Sequence, residues 1–592
     1  MVKKESLREL IRSIVKYKRD FILANIIAVI AVLISLPIPM MIPLLIDEIL
    51  LNKPSFMMGY LNSILGEGRE VYIYVFVVLI FVIFIRAIFL TLSAVVSYLF
   101  AKISKDITYN LQRRLIEYIS KVSISEYENF GSGKISSLLV VDLGVVDNFL
   151  GVTINKFIVS ILTIIGIGIV LLWINWQLGL FILILMPIIS YFTKKVAKRV
   201  GKIKRVENKN IESFSNELGE SMDLFWQIKA SNLEKSFEKN LIKRAEDIKE
   251  SSIEFKYKSE IAAMFSYFLF LAGFEVFRSA GILSVEYSDL SIGKMLGIFG
   301  YLWVIMSPFS EIISIQYAYH TANEALNRIN KIYDMKQESS YPHKKNPFLK
   351  SKKNSIHLKD VRFSYHKKEV LKGVDIKANG GENIAIVGET GGGKSTIASL
   401  LVGFYEVDSG DILYDGISYK EIGFDVIREH TYLTLQTPHI FDNTIRYNLC
   451  FEKDVSDEKI KEALKIAQLD EFVFSLENGI DEVLGKNGVK LSGGQKQRLS
   501  IARMIIADPN IVILDESTSS LDVETEKSLF DALLSFLNQR TTIIIAHRLS
   551  TITKADRIYF ISDGRVVEEG SFDELIALNG RFKNYIKRGN GC

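Results

Sequence analysis

The sequence has 592 residues, of which 48% are hydrophobic and 24% are charged, and its formal net charge at pH 7 is +4. This length corresponds to several domains, and so large an apolar fraction excludes an intrinsically disordered chain. The small net charge gives no indication of nucleic-acid binding, and two cysteines, Cys450 and Cys592, are too few for a disulfide framework.

Six apolar stretches before residue 320 are long enough to cross about 30 Å of hydrocarbon as helices. The fourth is short, but the aromatic turn Trp173–Trp176 makes it the second half of a hairpin with the third. The sequence therefore predicts an all-α transmembrane domain over residues 1–336. The stretches cover about residues 21–45, 72–100, 157–173, 178–192, 261–283 and 292–313.

Lysine and arginine are unevenly distributed around these stretches. They are concentrated before the first stretch and in the connections after the second and the fourth, whereas the opposite connections contain few. By the positive-inside rule, the N-terminus, both basic connections and everything after the sixth stretch are expected to be cytoplasmic. The two connections, about residues 101–156 and 193–260, keep helical character, so we expect helical extensions with turns near residues 126–133 and 223–230.

A polar linker over residues 337–355, with two prolines and five lysines, ends the membrane domain. From Ile356 onward, short β-branched runs alternate with helical stretches. This alternation predicts an α/β domain over residues 356–592.

A glycine-rich loop in this second half has the residues needed to bind phosphate. The run Asn383–Val387 predicts a buried strand, and the residues after it match the P-loop pattern G-x-x-x-x-G-K-[ST]. Glycines let backbone N–H groups wrap a phosphate, and the next helix adds the positive end of its dipole. Lys394 is expected to contact the β- and γ-phosphates, and the Ser395 hydroxyl to bind Mg²⁺. The predicted loop residues are Gly388, Glu389, Thr390, Gly391, Gly392, Gly393, Lys394, Ser395 and Thr396.

An acidic pair follows a second apolar strand, Ile511–Leu514. Asp515 is placed at the carboxyl end of this strand, where it can hold Mg²⁺ through water. Glu516 comes next and is the candidate to orient or deprotonate an attacking water. Such a buried acidic pair would be costly without a positive or phosphate-bound partner.

Between these two elements lies Leu491-Ser-Gly-Gly-Gln495, followed by a helical stretch. Together, the phosphate loop, this run and the acidic strand resemble the ATP-binding cassette (ABC) family, and Leu491–Gln495 resembles its signature motif. The resemblance extends over nearly the whole chain. Six spans followed by one nucleotide-binding domain are similar to exporter-type half-transporters, which include lipid flippases and multidrug or peptide exporters.

The resemblance implies roles for further residues. Tyr365 matches the aromatic residue that stacks on adenine, Gln436 matches the glutamine that senses Mg²⁺, and His547 matches the switch histidine. Residues 519–522 match the loop that crosses the dimer interface. The implied nucleotide contacts outside the phosphate loop are Tyr365, Gln436, Ser492, Gly493, Gly494, Gln495 and Asp515, and the implied Mg²⁺ ligands are Ser395, Gln436 and Asp515. One departure is Lys486, which stands where exporters commonly carry a glutamate before the signature.

The resemblance also implies a mechanism and a partner. ATP and Mg²⁺ are the expected cofactors, with Glu516 as general base and His547 and Lys394 stabilising the transferred charge. Because each chain has one set of motifs, the expected unit contains a second copy of the chain or a paralogous half-transporter. The expected activity is alternating-access export of an amphipathic lipid, peptide or drug-like substrate from a bacterial inner membrane, with membrane lipids but no nucleic acid as partners. An importer of metal chelates with the exporter fold and an ATP-gated channel remain alternatives.

Four charged residues are predicted within or near the spans: Arg86, Glu275, Arg278 and Glu311. Charges in hydrocarbon are costly and usually face a cavity. One hypothesis is therefore a polar substrate cavity. The alternative is a Glu275–Arg278 or Arg86–Glu275 pair that only fixes helix packing, since Glu275 and Arg278 share one helix face.

Overall fold

The structure is a computed structural model. It describes residues 4–51, 53, 56–65, 70–288, 290–366, 368–485, 488–515, 523–546 and 548–589.

The chain divides into two compact units, and each is interrupted in sequence. The first comprises Met1–Ser120 and Gly131–Asp334, and the second comprises Lys121–Phe130 and Met335–Cys592. The linker over residues 337–355 therefore belongs to the second unit. A ten-residue segment from the middle of the expected membrane domain belongs to it as well.

Among the described residues before Met335, the regular elements are helices, apart from a single β-bridge residue, Val122. The α-helices are α1 Leu7–Lys16, α2 Lys18–Ser35, α3 Met41–Pro43, α4 Phe56–Leu65, α5 Val71–Ile119, α6 Ile124–Phe130, α7 Ser132–Ser137, α8 Leu143–Asn148, α9 Ile154–Ile174, α10 Trp176–Asp223, α11 Phe225–Ala230, α12 Glu234–Tyr287 and α13 Ile292–Ile329. Wider π-helical turns occur at Leu44–Leu50, Leu138–Asp142 and Phe149–Thr153, and 3₁₀ turns at Ile38–Met40 and Asn330–Asp334.

Six helical segments among the described residues are long and apolar enough to cross a membrane. They extend well beyond the apolar windows seen in the sequence. Helices α5, α10 and α12 have 49, 48 and 54 residues, which correspond to lengths of about 72–81 Å, more than twice the hydrocarbon thickness. Only Asn175 separates α9 from α10, and its side chain caps α10 by accepting a hydrogen bond from Leu178 N at 3.0 Å.

The first and last spans are joined at one end by a carboxylate. Asp47, 8% exposed, accepts hydrogen bonds from the Ser291 hydroxyl and from Gly293 N at 2.9 Å. These donors form the first turn of α13, where backbone N–H groups lack partners within the helix. A Cβ atom at Gly293 would lie 2.4 Å from Asp47 Oδ2 and 2.8 Å from Pro43 Cα. Only glycine allows this close approach.

The second unit contains the expected α/β arrangement, with two sheets. Strands β2, β1, β4 and β5 form an antiparallel sheet in that order, and the other sheet has the order β10-β9-β3-β8-β7-β6. In the second sheet all pairings are parallel except that of β10 with β9. The strands are β1 Ile356–Tyr365, β2 Lys368–Ala378, β3 Asn383–Gly388, β4 Ser409–Tyr414, β5 Ile417–Ser418, β6 Thr431–Thr434, β7 Ile511–Asp515, β8 Thr541–Ile545, β9 Arg557–Ser562 and β10 Arg565–Gly570.

Alternate residues of the parallel strands face two apolar cores. Ile384, Ile386 and Ile513 pack toward the antiparallel sheet, whereas Ala385 and Leu514 pack against helices on the other face. This alternation follows from the two-residue period of a strand. The α-helices of this part are α14 Lys394–Leu401, α15 Tyr419–Ile422, α16 Phe424–His430, α17 Ile445–Cys450, α18 Asp457–Ile466, α19 Asp470–Ser475, α20 Gly493–Ala507, α21 Val523–Leu537, α22 Leu549–Ile552, α23 Phe572–Ala577 and α24 Arg581–Gly589.

The segment Lys121–Phe130 is attached to the second unit by backbone hydrogen bonds. Ser123 N donates to Lys336 O at 3.0 Å, and Glu338 N donates to Lys121 O at 2.8 Å. Val122 and Gln337 form an antiparallel bridge between them. Helix α6 is therefore held beside the segment that follows Asp334, although about 200 residues separate the two in sequence.

The Asp47 contact predicts that Gly293→Ala lowers the thermal unfolding midpoint of the full-length protein, because Asp47 or Pro43 must move. Gly201→Ala in α10 is the matched control, since a Cβ there meets nothing within 4 Å. Alanine should leave that helix unchanged or stabilise it by about 0.5–1 kcal/mol. Equal midpoints for the two variants in nanodiscs would contradict the close packing at Gly293.

Candidate functional site

The candidate site lies at the carboxyl edge of the parallel sheet. Strand β8 lies between β3 and β7, and Ile545 is in register with both Ile386 and Asp515. Because neighbouring strands are about 4.8 Å apart, Asp515 lies about 10 Å across the sheet from Ile386, two residues before β3 ends and the glycine-rich loop begins.

The backbone of the loop after β3 packs closely against neighbouring residues at two of its glycines. Gly393 has φ = 99°, and a Cβ atom there would lie 2.6 Å from Leu371 Cδ2. A Cβ atom at Gly388 would lie 2.0 Å from Ile561 O. Side chains at these positions would distort the loop, so glycine is required for its N–H groups to surround an anion.

Lys394 is the first residue of α14 and is only 6% exposed. Its Nζ atom donates hydrogen bonds of 2.9 Å to the carbonyls of Gly388 and Glu389. The ammonium group is thereby held inside the curve of the loop, beside the N-terminus of α14. An anion bound here would meet both a buried cation and the positive end of a helix dipole.

The oxygen atoms available at this edge fit Mg²⁺. The hydroxyl of Ser395 is exposed in the first turn of α14, and the carboxylate of Asp515 is partly buried at the end of β7. Mg²⁺ usually takes one or two protein oxygens and completes its octahedron with water and phosphate oxygens. Gln436, which follows β6, is also exposed. The described residues contain no cluster of three or more His, Cys, Asp or Glu that could hold a metal without such additional ligands.

Three aromatic rings form a cluster at the end of β1. Tyr365 is 37% exposed, and its ring makes edge-to-face contacts with Phe363 at 4.8 Å and Tyr405 at 5.2 Å between centroids. Phe363 is buried in the core and also contacts Tyr405 at 5.5 Å. Tyr365 therefore presents a supported aromatic surface.

The expected signature residues form the start of α20. Ser492 Oγ accepts a hydrogen bond from Gln495 N at 3.2 Å, and Gln495 Oε1 accepts one from Ser492 N at 2.8 Å. This reciprocal capping box fixes the helix start, while Ser492 and Gly493 remain exposed. About one turn into α20, the buried Gln497 donates to the backbone oxygen of Gln436 at 3.4 Å. Helix α20 and the Gln436 segment are thus joined by a hydrogen bond.

Several predicted residues lie outside the part of the chain that the structure describes. They are Glu516, His547, Lys486 and the interface loop over residues 519–522. Their roles remain predictions.

A separate cavity of about 970 Å³ lies within the first unit. It is lined mainly by apolar residues of the first, second, third and sixth spans. The polar residues at its wall include Arg86, Asn155, Lys156 and Glu311. Asn155 is 7% exposed and donates to Ser97 Oγ at 3.2 Å, and its Oδ1 atom has no hydrogen-bond partner among the described residues.

Of the four charged residues predicted to line a substrate cavity, two line the cavity described above and two do not. Arg86 and Glu311 line it, and Glu311 pairs with Lys156 at 3.0 Å. Glu275 and Arg278 form an ion pair with each other on α12, and both are about half-exposed. Within the described part of the chain, neither lines this cavity, and no Arg86–Glu275 pair is present.

Sequence reasoning missed Lys156, Asn155 and Tyr405. The partners of these residues are 155, 58 and 277 positions away. The periodic patterns of helices and strands predict contacts only between residues that are close in sequence, so they could not predict these pairs. The only sequence signal for Lys156 was its place immediately before the third apolar stretch.

Comparison with family models gave two matches. The model described as "ABC transporter transmembrane region" matches residues 21–309, and the "ABC transporter" model matches residues 371–519.

Curated relatives match along most of the chain. A protein from Pectobacterium atrosepticum named "ATP-dependent lipid A-core flippase" is 30% identical over 542 residues, which are 89% of this chain and 91% of that protein. The protein of the same name from Escherichia coli (strain K12) is 29% identical over 562 residues, 91% of this chain and 94% of that protein. The solved structure of a bacterial Atm1-family ABC exporter with ATP bound has a TM-score of 0.75 and 22% identity, covering 95% of this chain and 98% of that chain.

Proposed function

Because the chain belongs to the ABC transporter family and has the half-transporter architecture of its exporters, we propose that it hydrolyses ATP to move an amphipathic molecule across a bacterial inner membrane. One observation carries this proposal. The chain with six membrane-spanning helices also contains a glycine-bounded loop whose buried Lys394 points its ammonium group into the loop.

The candidate residues have distinct roles in the proposed hydrolysis. Lys394 and the loop N–H groups hold the β- and γ-phosphates, and Tyr365 stacks on the adenine ring. Ser395, Asp515 and Gln436 hold Mg²⁺, which neutralises phosphate charge when bound. Glu516 orients and deprotonates the attacking water, and His547 stabilises charge on the transferred group.

The working unit is proposed to be a dimer. The exposed start of α20 carries backbone N–H groups and a helix dipole that would stabilise a phosphate. In the arrangement that the family implies, this helix start contacts the ATP held by the other chain. A second copy of this chain meets that requirement because each copy has both a phosphate loop and a signature, and a paralogous half-transporter would meet it equally.

Dimerisation also gives ATP a way to drive transport. Two nucleotides held across an interface stabilise the closed arrangement, since only that arrangement makes both sets of contacts. Hydrolysis removes these contacts and resets the membrane domain. The basic connections between spans support a cytoplasmic location for the N-terminus and the ATP-binding domain.

The cavity of the first unit is the proposed place for the substrate. Its volume of about 970 Å³ is at the upper end of the roughly 300–1,000 Å³ typical of small-molecule sites. Apolar walls suit an acyl or aromatic group. Arg86, which has no ion-pair partner among the described residues, suits an anionic head group. The lipid A-core flippases among the relatives support an amphipathic lipid.

The assignment of Glu516 predicts that Glu516→Gln lowers ATP turnover in nanodiscs by about 100-fold or more, because a general base is lost, while ATP still binds. Glu524→Gln, which removes an exposed carboxylate in the first turn of α21, is the control and should retain turnover. Full turnover by Glu516→Gln would show that another group activates the water.

The dimer arrangement predicts different effects for two helix caps. Ser492→Ala and Ser456→Ala each remove an N-cap, of α20 and α18, and each should cost about 1 kcal/mol of stability. Only Ser492→Ala should also lower ATP turnover, because only that helix start faces nucleotide across the dimer. Thermal unfolding and turnover measured on the same samples test this, and equal turnover in the two variants would contradict the arrangement.

The cavity predicts that Arg86→Gln raises the concentration of anionic amphiphile needed to stimulate ATP turnover by about 10-fold or more, because a charge-assisted hydrogen bond is lost. Arg278→Gln, which changes a charge outside the cavity lining, is the control. The two variants and the wild type are compared with matched anionic and cationic amphiphiles in nanodiscs. An unchanged response of Arg86→Gln would remove Arg86 from the substrate site, and ATP-dependent uphill flux in proteoliposomes tests transport itself.

A further inference from the structure

A continuous series of contacts joins the proposed adenine surface to helix α6. At one end, Tyr405 packs edge-on against Tyr365 at 5.2 Å, with an interplanar angle of 87°. At the other end, its hydroxyl donates a hydrogen bond of 2.8 Å to Glu128 Oε2 on α6. All three residues belong to the second unit. One side chain therefore touches both the aromatic surface and the helix.

The chemistry of Tyr405 favours a stable donor role. Burial, together with the hydrogen bond to Glu128, raises the pKa of the Tyr405 hydroxyl above its ordinary value. The hydroxyl thus stays protonated at physiological pH and donates to a carboxylate. Hydrogen bonds to charged acceptors are stronger than neutral ones. Phe363 supports the Tyr405 ring from the core side at 5.5 Å, which restricts the directions in which the ring can move.

Helix α6 is well placed to pass a displacement on to the membrane domain. Its N-terminal side is fixed by the backbone bonds of Lys121 and Ser123 to the segment after Asp334. It is preceded in the chain by α5, which contains the second span, and followed by α7, with which the third span segment begins. A change in its position therefore reaches two spans through covalent bonds.

We propose that Tyr405 is a positioning residue that links adenine binding at Tyr365 to helix α6. Its ring orients Tyr365 for stacking, and its hydroxyl makes the stability of α6 depend on whether Tyr365 is covered by adenine. The inference rests on the proposed function, since it requires ATP at Tyr365. It adds to that function a second way in which bound ATP affects helix α6. This effect comes from the adenine base at Tyr365 and is separate from the contacts that Lys394 makes with the phosphates.

The physical basis is restriction of motion. Stacked adenine limits the orientations of the Tyr365 ring, and an edge-to-face contact then limits those of Tyr405. A narrower range for Tyr405 strengthens its hydrogen bond to Glu128. Because coupling between two sites is reciprocal, breaking this bond must weaken the effect of α6 on ATP and of ATP on α6 by the same factor.

The test uses the full-length protein in nanodiscs, with ATP in the presence of EDTA to prevent hydrolysis. Tyr405→Leu removes the ring and should raise the dissociation constant of ATP by about 3- to 10-fold. Tyr405→Phe keeps the ring and removes only the hydroxyl. It should leave that constant within about 3-fold of wild type, while the ATP-induced protection of the amides of residues 124–130 from hydrogen exchange falls at least about 3-fold.

Variants of α6 show whether the bond itself matters. Glu128→Gln keeps an acceptor oxygen and should retain the ATP-induced protection, whereas Glu128→Ala should lose it. Glu126→Ala, on the same helix and without a hydrogen bond to Tyr405 among the described contacts, is the matched control and should behave as wild type. The double variant Tyr405→Phe/Glu128→Ala should be no worse than either single variant.

The possible outcomes separate this inference from the proposed function. Undiminished ATP-induced protection in Tyr405→Phe, or equal losses in Glu126→Ala and Glu128→Ala, would overturn the link while leaving ATP binding intact. Failure of the wild-type protein to bind ATP, or unchanged ATP affinity in Tyr365→Ala, would instead contradict the proposed role of Tyr365. If Tyr405→Leu does not fold, Tyr405→Phe still decides the question because it changes one atom.

Discussion

A buried cation surrounded by backbone is the constraint on which the ATP-binding unit depends. The ammonium of Lys394 is held by loop carbonyls, and loop N–H groups and a helix N-terminus lie beside it. An anion bound here would be stabilised both by the ammonium group and by the helix N-terminus. Strand β8 lies between β3 and β7 and so sets the spacing between Asp515 and the loop that follows β3. The two cores on either side of the sheet hold this spacing fixed.

The fold class and the phosphate loop could be predicted from the sequence because each is encoded locally. Six apolar stretches predict the six spans, and an eight-residue pattern between a strand and a helix predicts the phosphate loop. The contacts of the membrane cavity could not be predicted in this way. Lys156 and Glu311 form an ion pair although 155 positions separate them in sequence. Hydropathy shows only that each is a charged residue near a span and gives no sign that they are paired. The Glu275–Arg278 pair could be predicted, because residues three positions apart share one helix face. It is one of the two ion pairs that the sequence suggests.

The boundary between the two units also depends on tertiary contacts. Composition places a linker at residues 337–355, where prolines and lysines accumulate. Hydrogen bonds instead join Lys121 and Ser123 to the chain just after Asp334, so α6 lies with the ATP-binding unit. A single polypeptide segment thus belongs by sequence to one unit and by contacts to the other. This is a simple physical arrangement for passing force between units, because no interface has to be broken for the segment to pull on its flanking helices.

Membership of α6 in the second unit has a consequence for building chimeras. An exchange of ATP-binding domains between relatives at Met335 alone would separate Glu128 from Tyr405 and Lys121 from Glu338. A donor domain transplanted in this way would carry its own aromatic cluster but would meet a foreign α6. A graft that includes residues 121–130 together with the domain keeps these pairs together. The minimal interchangeable module of this transporter is therefore discontinuous in sequence.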